Sequence, residues 1–190
     1  QNIATKKEIL LGTNQYPNPL ENEPDDLDPE IAFPRNEKQA GLIAEPLNIY
    51  RGAMSFEKLR LKPEENRQKV FLLAVGNPVR RKARAGFSAN FFGCAGFDII
   101  DNQGFETLDS GLKAAKSEKA DIVVLCSSDE EYASLVPETF QKLDKKTILV
   151  VAGYPVNCID DLKAKGIHNF IHMKSNVLEE LEKYQRLLGL

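Results

Sequence analysis

Polar side chains able to support chemistry occur in four short loops, each placed directly after an apolar run. The loops cover residues 76–81, 101–105, 127–129 and 153–157. The first is basic through Arg80 and Arg81, and the third carries serine hydroxyls and the Asp129 carboxylate. Arginine suits anionic groups such as phosphates, whereas hydroxyls and carboxylates position a ligand through hydrogen bonds. No nucleophile is paired with a base, so no catalytic residue is predicted.

Two kinds of site that use such loops are excluded by the residues present. A flavin mononucleotide phosphate needs a loop rich in glycine and hydroxyl groups after the first strand, but residues 76–81, GNPVRR, have one glycine and no hydroxyl. A magnesium-dependent phospho-acceptor needs an acidic pair after the first strand and an aspartate after the third. The first loop is basic and the third run ends in Cys126, Ser127 and Ser128. Neither a GxGxxG sequence nor a P-loop occurs.

Three arginines, Arg80, Arg81 and Arg84, form a basic group near the start of a predicted helix. The amino-terminal end of a helix disfavours positive charge. These side chains are therefore candidate contacts for an anion, such as a phosphate group, or for acidic residues of a partner or of the chain's own amino-terminal linker. Glu130 and Glu131 are interpreted as solvated residues at the start of another helix.

No metal site is predicted. His168 and His172 lie on or beside the last predicted strand, far along the chain from the first loop, and are interpreted as ordinary hydrogen-bonded or surface histidines. The three cysteines, Cys94, Cys126 and Cys158, are widely spaced among apolar residues. Their spacing matches neither a zinc site nor a disulfide framework. Small buried thiols in a reducing cytoplasm are the simplest interpretation.

The elements that must position the loops alternate regularly from Lys69 onward. Apolar runs predict five strands, at residues 69–76, 97–100, 120–128, 147–153 and 169–173. Helical spacing predicts five helices, at residues 80–95, 107–117, 129–143, 158–165 and 175–188. Short connections between buried strands require parallel pairing with right-handed crossovers. The predicted fold is an α/β, flavodoxin-like, five-stranded parallel sheet of order 2-1-3-4-5 with helices on both faces. In folds of this kind, ligands bind near the switch point between the first and third strands.

The amino-terminal third differs from the rest in composition. Six of the ten prolines fall in the first 46 residues, and residues 21–30, ENEPDDLDPE, are acidic with few apolar side chains. Residues 1–66 are therefore predicted to form an extended linker, with short helices at Thr5–Leu10 and Ser55–Leu61. Residues 67–190 are predicted to form the domain. A linker of this length indicates a further domain that it drapes over.

Charge and hydropathy exclude two classes of partner. The net charge is -3 with a pI near 5.6, which gives no general field for binding nucleic acid. No apolar run approaches the roughly 20 residues that span a bilayer, so no contact with a membrane is expected. The first residues, QNIATKKEIL, lack the features of a secretion signal. A cytoplasmic protein is expected.

Five segments together resemble the cobalamin-binding domain of methylmalonyl-CoA mutases, and most of all that of the small subunit. They are VFLLAVGN (70–77), ARAGFSANFFGCAGFDIIDNQGF (83–105), ADIVVLCSSDEEY (120–132), ILVVAGYPV (148–156) and GIHNFIHMKSNVLEEL (166–181). Upstream, LLGTNQYPN (10–18) and SFEKLR (55–60) look like the segment that leaves the family's catalytic barrel. The resemblance implies a missing barrel domain and a heterodimer with a large subunit that carries adenosylcobalamin. It implies a part in interconverting methylmalonyl-CoA and succinyl-CoA.

The same resemblance implies that this domain has lost its cofactor. Cobalamin-binding members carry Asp-x-His-x-x-Gly after the first strand, where this chain has Pro78, Arg80 and Ala83. An arginine offers no lone pair to cobalt. After the third strand the family's Ser-x-Leu becomes Ser127 and Asp129, and after the fourth its Gly-Gly becomes Gly153 and Tyr154. The Tyr154 ring is expected to occupy the space of the nucleotide tail, so a structural role that stabilises the heterodimer is expected.

Two alternatives stay open. One is a domain that binds cobalamin without a histidine ligand, which a Tyr154 side chain pointing away from the channel would favour. The other is an anion- or coenzyme-A-binding regulatory module that uses Arg80, Arg81 and Arg84.

Overall fold

The computed structural model describes residues 1–18, 21, 50–60 and 67–190. Its helices are α1 (Met54–Arg60), α2 (Pro78–Gly93), α3 (Leu108–Ser117), α4 (Tyr132–Lys142), α5 (Ile159–Ala164) and α6 (Val177–Leu187). Its strands are β1 (Lys69–Ala74), β2 (Asp98–Ile100), β3 (Ile122–Cys126), β4 (Ile148–Ala152) and β5 (Phe170–Ile171). The strands form one parallel sheet in the order β2-β1-β3-β4-β5. This confirms the predicted α/β fold and strand order.

The sheet is buried on both faces because its central strands are apolar at every buried position. On one face Leu72 and Val124 pack with Phe92 of α2. On the other face Leu73 and Val123 pack against side chains of α3, α4 and α5. Full burial of one such large apolar side chain contributes about 1.5–3 kcal/mol. The two apolar clusters fix the sheet, and with it the positions of the loops at its carboxyl edge.

Helix α2 begins two residues before its predicted start because the sequence supplies a cap. Asn77 Oδ1 accepts hydrogen bonds from the backbone N–H groups of Val79 and Arg80, both at 3.1 Å. Pro78 occupies the first helical position, where no N–H is needed. The loop after β1 is therefore short, and the side chains of residues 78–84 are carried on a helix.

Residues 1–18 contact the domain at several points. The Tyr16 N–H donates to Asn90 Oδ1 of α2 (2.6 Å), and the Val177 N–H at the start of α6 donates to Ala4 O (2.9 Å). The predicted helix at Thr5–Leu10 does not form, and turns and bends take its place. Helix α1 confirms a helix in the predicted range Ser55–Leu61, although Leu61 lies outside the described residues.

The predicted linker is described only in part, at residues 1–18, 21 and 50–60. Its remaining residues, up to the predicted boundary at residue 66, lie outside the described part of the chain. That boundary and the preceding barrel therefore stay predictions. Among the described residues, no helix combines the length and hydrophobicity that a membrane span requires.

Candidate functional site

The Glu131 carboxylate lies at the switch point between β1 and β3, where the loops after these two strands meet. Its Oε2 accepts hydrogen bonds from the Ser127 hydroxyl (2.6 Å) and the Ser128 hydroxyl (2.9 Å). The same oxygen accepts from the backbone N–H groups of Ser128 and Asn77, both at 3.2 Å. We term this group of four residues, Asn77, Ser127, Ser128 and Glu131, the Glu131 clasp. It joins the loop after β1 to the loop after β3.

The clasp is held by an ionised carboxylate. Burial raises the pKa of Glu131, but the hydrogen bonds from Ser127, Asn77 and Ser128 outweigh burial, so this pKa lies below its ordinary value. Gly76 passes directly beneath the carboxylate with φ +84°, and a Cβ on it would overlap the Glu131 side chain. Glycine is therefore needed here both for the turn and for the close approach.

Tyr132 fills the space between the ends of β3 and β4. Its side chain is fully buried, and its Oη donates to Ala152 O (2.7 Å) and accepts from the Ser127 N–H (3.1 Å). Burial raises the pKa of this phenol far above its ordinary value, so the hydroxyl stays protonated. A Cβ on Gly153 would lie 3.0 Å from Tyr132 Cε2. The gap between the two strand ends is therefore occupied by the protein's own side chain.

The three arginines predicted as anion contacts have separate surroundings. Arg84 Nη2 forms an ion pair with Asp129 Oδ1 (2.9 Å). Arg81 Nη1 donates to the Phe105 carbonyl (3.0 Å), on the loop after β2. Arg80 is exposed at the start of α2. The structure therefore does not bring the three guanidinium groups together around one anion.

Pro78 and Ala83, which the resemblance compares with the family's cobalt-binding loop, are exposed on the first turns of α2. With Val79 and Lys82 they surround a shallow apolar depression. Neither side chain can bind a metal or accept a hydrogen bond. This surface offers apolar contact and no ligand-binding polar group apart from the lysine.

Tyr154 lies on the β5 side of the carboxyl edge. Its ring packs edge-on against Phe170 and His172, with centroids 6.1 and 5.1 Å apart. Lys163 Nζ lies 5.6 Å from the ring centre. These contacts place the ring over the end of β5, away from the switch point. Tyr132, and not Tyr154, lies beside Ser127, and the predicted obstruction of a nucleotide tail by Tyr154 stays a prediction.

The histidines lie on the β5 side of the molecule. His172 Nδ1 accepts from the Lys174 N–H (3.2 Å), and burial lowers the pKa of this imidazole. Burial raises the pKa of the Cys94 thiol, and raises that of Cys126 to about 12, so both thiols stay protonated. Within the described ranges, no three His, Cys, Asp or Glu side chains converge to hold a metal ion.

Two residues that hold this edge together, Glu131 and Tyr132, were not predicted from the sequence as site residues. Glu131 was expected to be solvated, whereas the structure turns its carboxylate back onto Ser127 and Ser128. The pattern Ser128-x-x-Glu131 is the Ser-x-x-Glu spacing of a capping box, and it was the available signal. The burial of Tyr132 carries no such local signal, because its main partner, Ala152, lies 20 residues further along the chain.

Comparison with known proteins gives two relatives of one kind. The methylmalonyl-CoA mutase small subunit of Porphyromonas gingivalis is 48% identical over 194 residues, which include the whole of this chain and 31% of that subunit. The methylmalonyl-CoA mutase small subunit of Streptomyces virginiae is 27% identical over 135 residues, which cover 69% of this chain and 21% of that subunit. The chain therefore spans less than a third of the length of these relatives. No protein-family model matches it.

Proposed function

Because this chain is homologous over its whole length to part of a methylmalonyl-CoA mutase small subunit, we propose that it is the cobalamin-domain-like part of such a subunit. The enzyme that the resemblance indicates interconverts methylmalonyl-CoA and succinyl-CoA with adenosylcobalamin. In this proposal the chain contributes no catalytic residue and binds no cobalamin. It stabilises a cytoplasmic heterodimer by packing against the barrel domain of its own subunit and against a large subunit that carries the cofactor.

One observation carries the structural role in this proposal. Ser127 is the polar residue retained from the family's cofactor-binding pattern, and both its donors are used inside the protein. Its hydroxyl donates to Glu131 (2.6 Å) and its backbone N–H donates to Tyr132 Oη (3.1 Å). A ligand at this point would have to break bonds that the chain already satisfies. Leaving one buried polar group without a partner costs about 1–3 kcal/mol.

The residues present do not suit cobalamin. Arg80 stands where the family has its cobalt-ligating histidine, and a guanidinium has no lone pair for a metal. Pro78 stands at the position of the carboxylate that orients that histidine. The two histidines of the chain, His168 and His172, lie at the opposite side of the sheet beside β5. No step of the mutase reaction is therefore assigned to this chain.

Apolar side chains at the carboxyl edge support a role in assembly. Val79, Val156 and Met173 follow β1, β4 and β5, and their exposed fractions are 78%, 76% and 83%. Side chains exposed to this degree gain apolar contact only when another surface covers them. In this proposal the rest of the small subunit and the large subunit supply that surface.

A cobalamin titration tests the proposal. The 190-residue chain is titrated with adenosylcobalamin and with hydroxocobalamin, followed by absorbance and by calorimetry, with a cobalamin-binding mutase large subunit as the positive control. The expected result is no spectral change and no heat for the chain. Saturable binding near one to one at micromolar affinity would overturn the structural role and leave the homology standing.

The alternative of a cobalamin-binding domain without a histidine ligand is favoured by one observation. Tyr154 points toward Phe170 and His172 and does not obstruct the switch point. Tyr132 and Glu131 occupy that region instead, and this is why the structural role is preferred. The titration separates the two functions directly.

For the anion- or coenzyme-A-binding alternative, the ion pair of Arg84 and the carbonyl contact of Arg81 leave Arg80 as the available guanidinium among the three.

A further inference from the structure

We propose that Glu131 acts as an internal ligand, whose carboxylate fills an anion-binding pocket formed by the loops after β1 and β3. This inference goes beyond the proposed function because it concerns a site within the chain and needs neither a partner subunit nor a cofactor. It accounts for how the loops after β1 and β3 are joined to one another.

The donors that meet at Glu131 are of the kinds that hold small anions. Two are backbone N–H groups, from Asn77 and Ser128, and two are hydroxyls, from Ser127 and Ser128. Converging backbone N–H groups and hydroxyls form cradles for carboxylate and phosphate oxygens. The hydrogen bonds reach a single oxygen, Oε2, from two different loops. A carboxylate held in this way replaces a ligand and also connects the loops.

The surroundings of the carboxylate are shaped to receive it. Ser127 is fully buried, so its hydroxyl has no exposed alternative partner. Gly76 has no side chain, and the Glu131 carboxylate occupies the space beside it. A larger residue at position 76 would fill that space. Helix α4 begins at the next residue, Tyr132, and the amino-terminal end of a helix favours a negative charge. The amino-terminal end of α4 and the space beside Gly76 therefore both suit an anion at this position.

Chemical rescue tests the internal ligand. Glu131→Ala removes the carboxylate and leaves the four donors, whereas Glu131→Gln keeps a group of nearly the same shape in the pocket. We expect the melting temperature of the E131A chain to fall by about 4–8 °C. About 300 mM sodium formate should then restore roughly 2–3 °C of that loss, as saturable binding to the folded state predicts. Sodium chloride at the same ionic strength is the salt control.

The matched variants decide the outcome. The wild-type chain and E131Q should gain no more from formate than from sodium chloride, because their pockets are filled. Glu106→Ala, which removes an exposed carboxylate from the loop after β2, should keep the wild-type melting temperature. A wild-type melting temperature for E131A would overturn the proposal, as would an equal formate effect on all variants. If E131A does not fold, an E131Q chain as stable as the wild type would overturn it, since an amide cannot accept four hydrogen bonds as a carboxylate does.

Discussion

Polar side chains at the carboxyl edge are paired with one another and with the backbone. The Ser127 hydroxyl is bonded to Glu131, and the Arg84 guanidinium is paired with Asp129. The Tyr132 hydroxyl bridges the ends of β3 and β4, through the Ser127 N–H and the Ala152 carbonyl. Because these groups are paired within the protein, we expect the substitution of one of them to change the stability of the chain and no other property.

Tyr132→Phe is predicted to destabilise the folded chain. The substitution keeps the buried ring and removes the hydroxyl, so the Ser127 N–H and the Ala152 carbonyl each lose a partner. Leaving buried polar groups unpaired costs about 1–3 kcal/mol, which corresponds to a melting temperature lower by about 2–12 °C for a chain of this size. Thermal unfolding followed by circular dichroism measures the change.

Tyr154→Phe is the matched control for that prediction. The Tyr154 hydroxyl is 3.5 Å from Lys163 Nζ on an exposed surface, and surface changes of this kind alter stability by about 0.5 kcal/mol or less. Equal destabilisation by the two substitutions would show that the buried hydroxyl of Tyr132 has no special part in the edge.

At the scale of elements, the sheet was predictable and the loops around it were not. Runs such as 122–126 are apolar at every position, so they predict buried parallel strands whatever the rest of the chain does. The direction of a loop side chain depends on contacts distant in sequence. Tyr154 turns toward Phe170, and Tyr132 turns toward Ala152. The sequence therefore indicated Ser127 and Gly153 as site positions but could not show which tyrosine would fill the space between them.

The amino-terminal segment is a second element whose placement depends on distant contacts. Arg60, the last residue of α1, donates from Nη2 to the carbonyls of Gly12 (2.7 Å) and Thr13 (2.9 Å). Its Nε donates to the Cys94 carbonyl after α2 (3.1 Å), and its Nη1 pairs with Glu21 (2.9 Å). A guanidinium can make such a forked set of bonds and an ammonium cannot. Arg60 therefore joins residues 12–13 and α1 to the domain.

Arg60→Lys is predicted to release residues 10–16 from the domain almost as completely as Arg60→Ala. The lysine keeps the charge but loses the forked geometry. We expect amide hydrogen exchange in this segment to become at least about tenfold faster, which corresponds to about 1.4 kcal/mol of lost local stability. Arg51→Ala is the control, because Arg51 makes an exposed ion pair with Glu57 (2.6 Å) of the kind that contributes about 0–1 kcal/mol. Unchanged exchange in both Arg60 variants would contradict the assigned role.

At the scale of the whole molecule, the two edges of the sheet differ in chemistry. Near the amino-terminal edge, the ends of α3 and α4 carry lysines with nearby carboxylates: Lys116 lies 3.8 Å from Asp144, and Lys142 lies 2.6 Å from Asp109. The carboxyl edge instead exposes Val79, Val156 and Met173 after three different strands. We expect a subunit interface to bury these three side chains, since aliphatic and methionine side chains gain most from desolvation.

Val79→Asp combined with Met173→Asp is therefore predicted to weaken assembly while leaving the chain folded. Both side chains are exposed by more than three quarters, at 78% and 83%, so each change should alter stability by about 0.5 kcal/mol or less. Burying the two new carboxylates in an interface should weaken binding of the complete small subunit to the large subunit at least about tenfold, measured by calorimetry. The control is Leu187→Asp near the opposite edge, with an exposed fraction of 57%, which should leave affinity unchanged. An equal loss of affinity from the control, or none from the double variant, would place the interface elsewhere on the molecule.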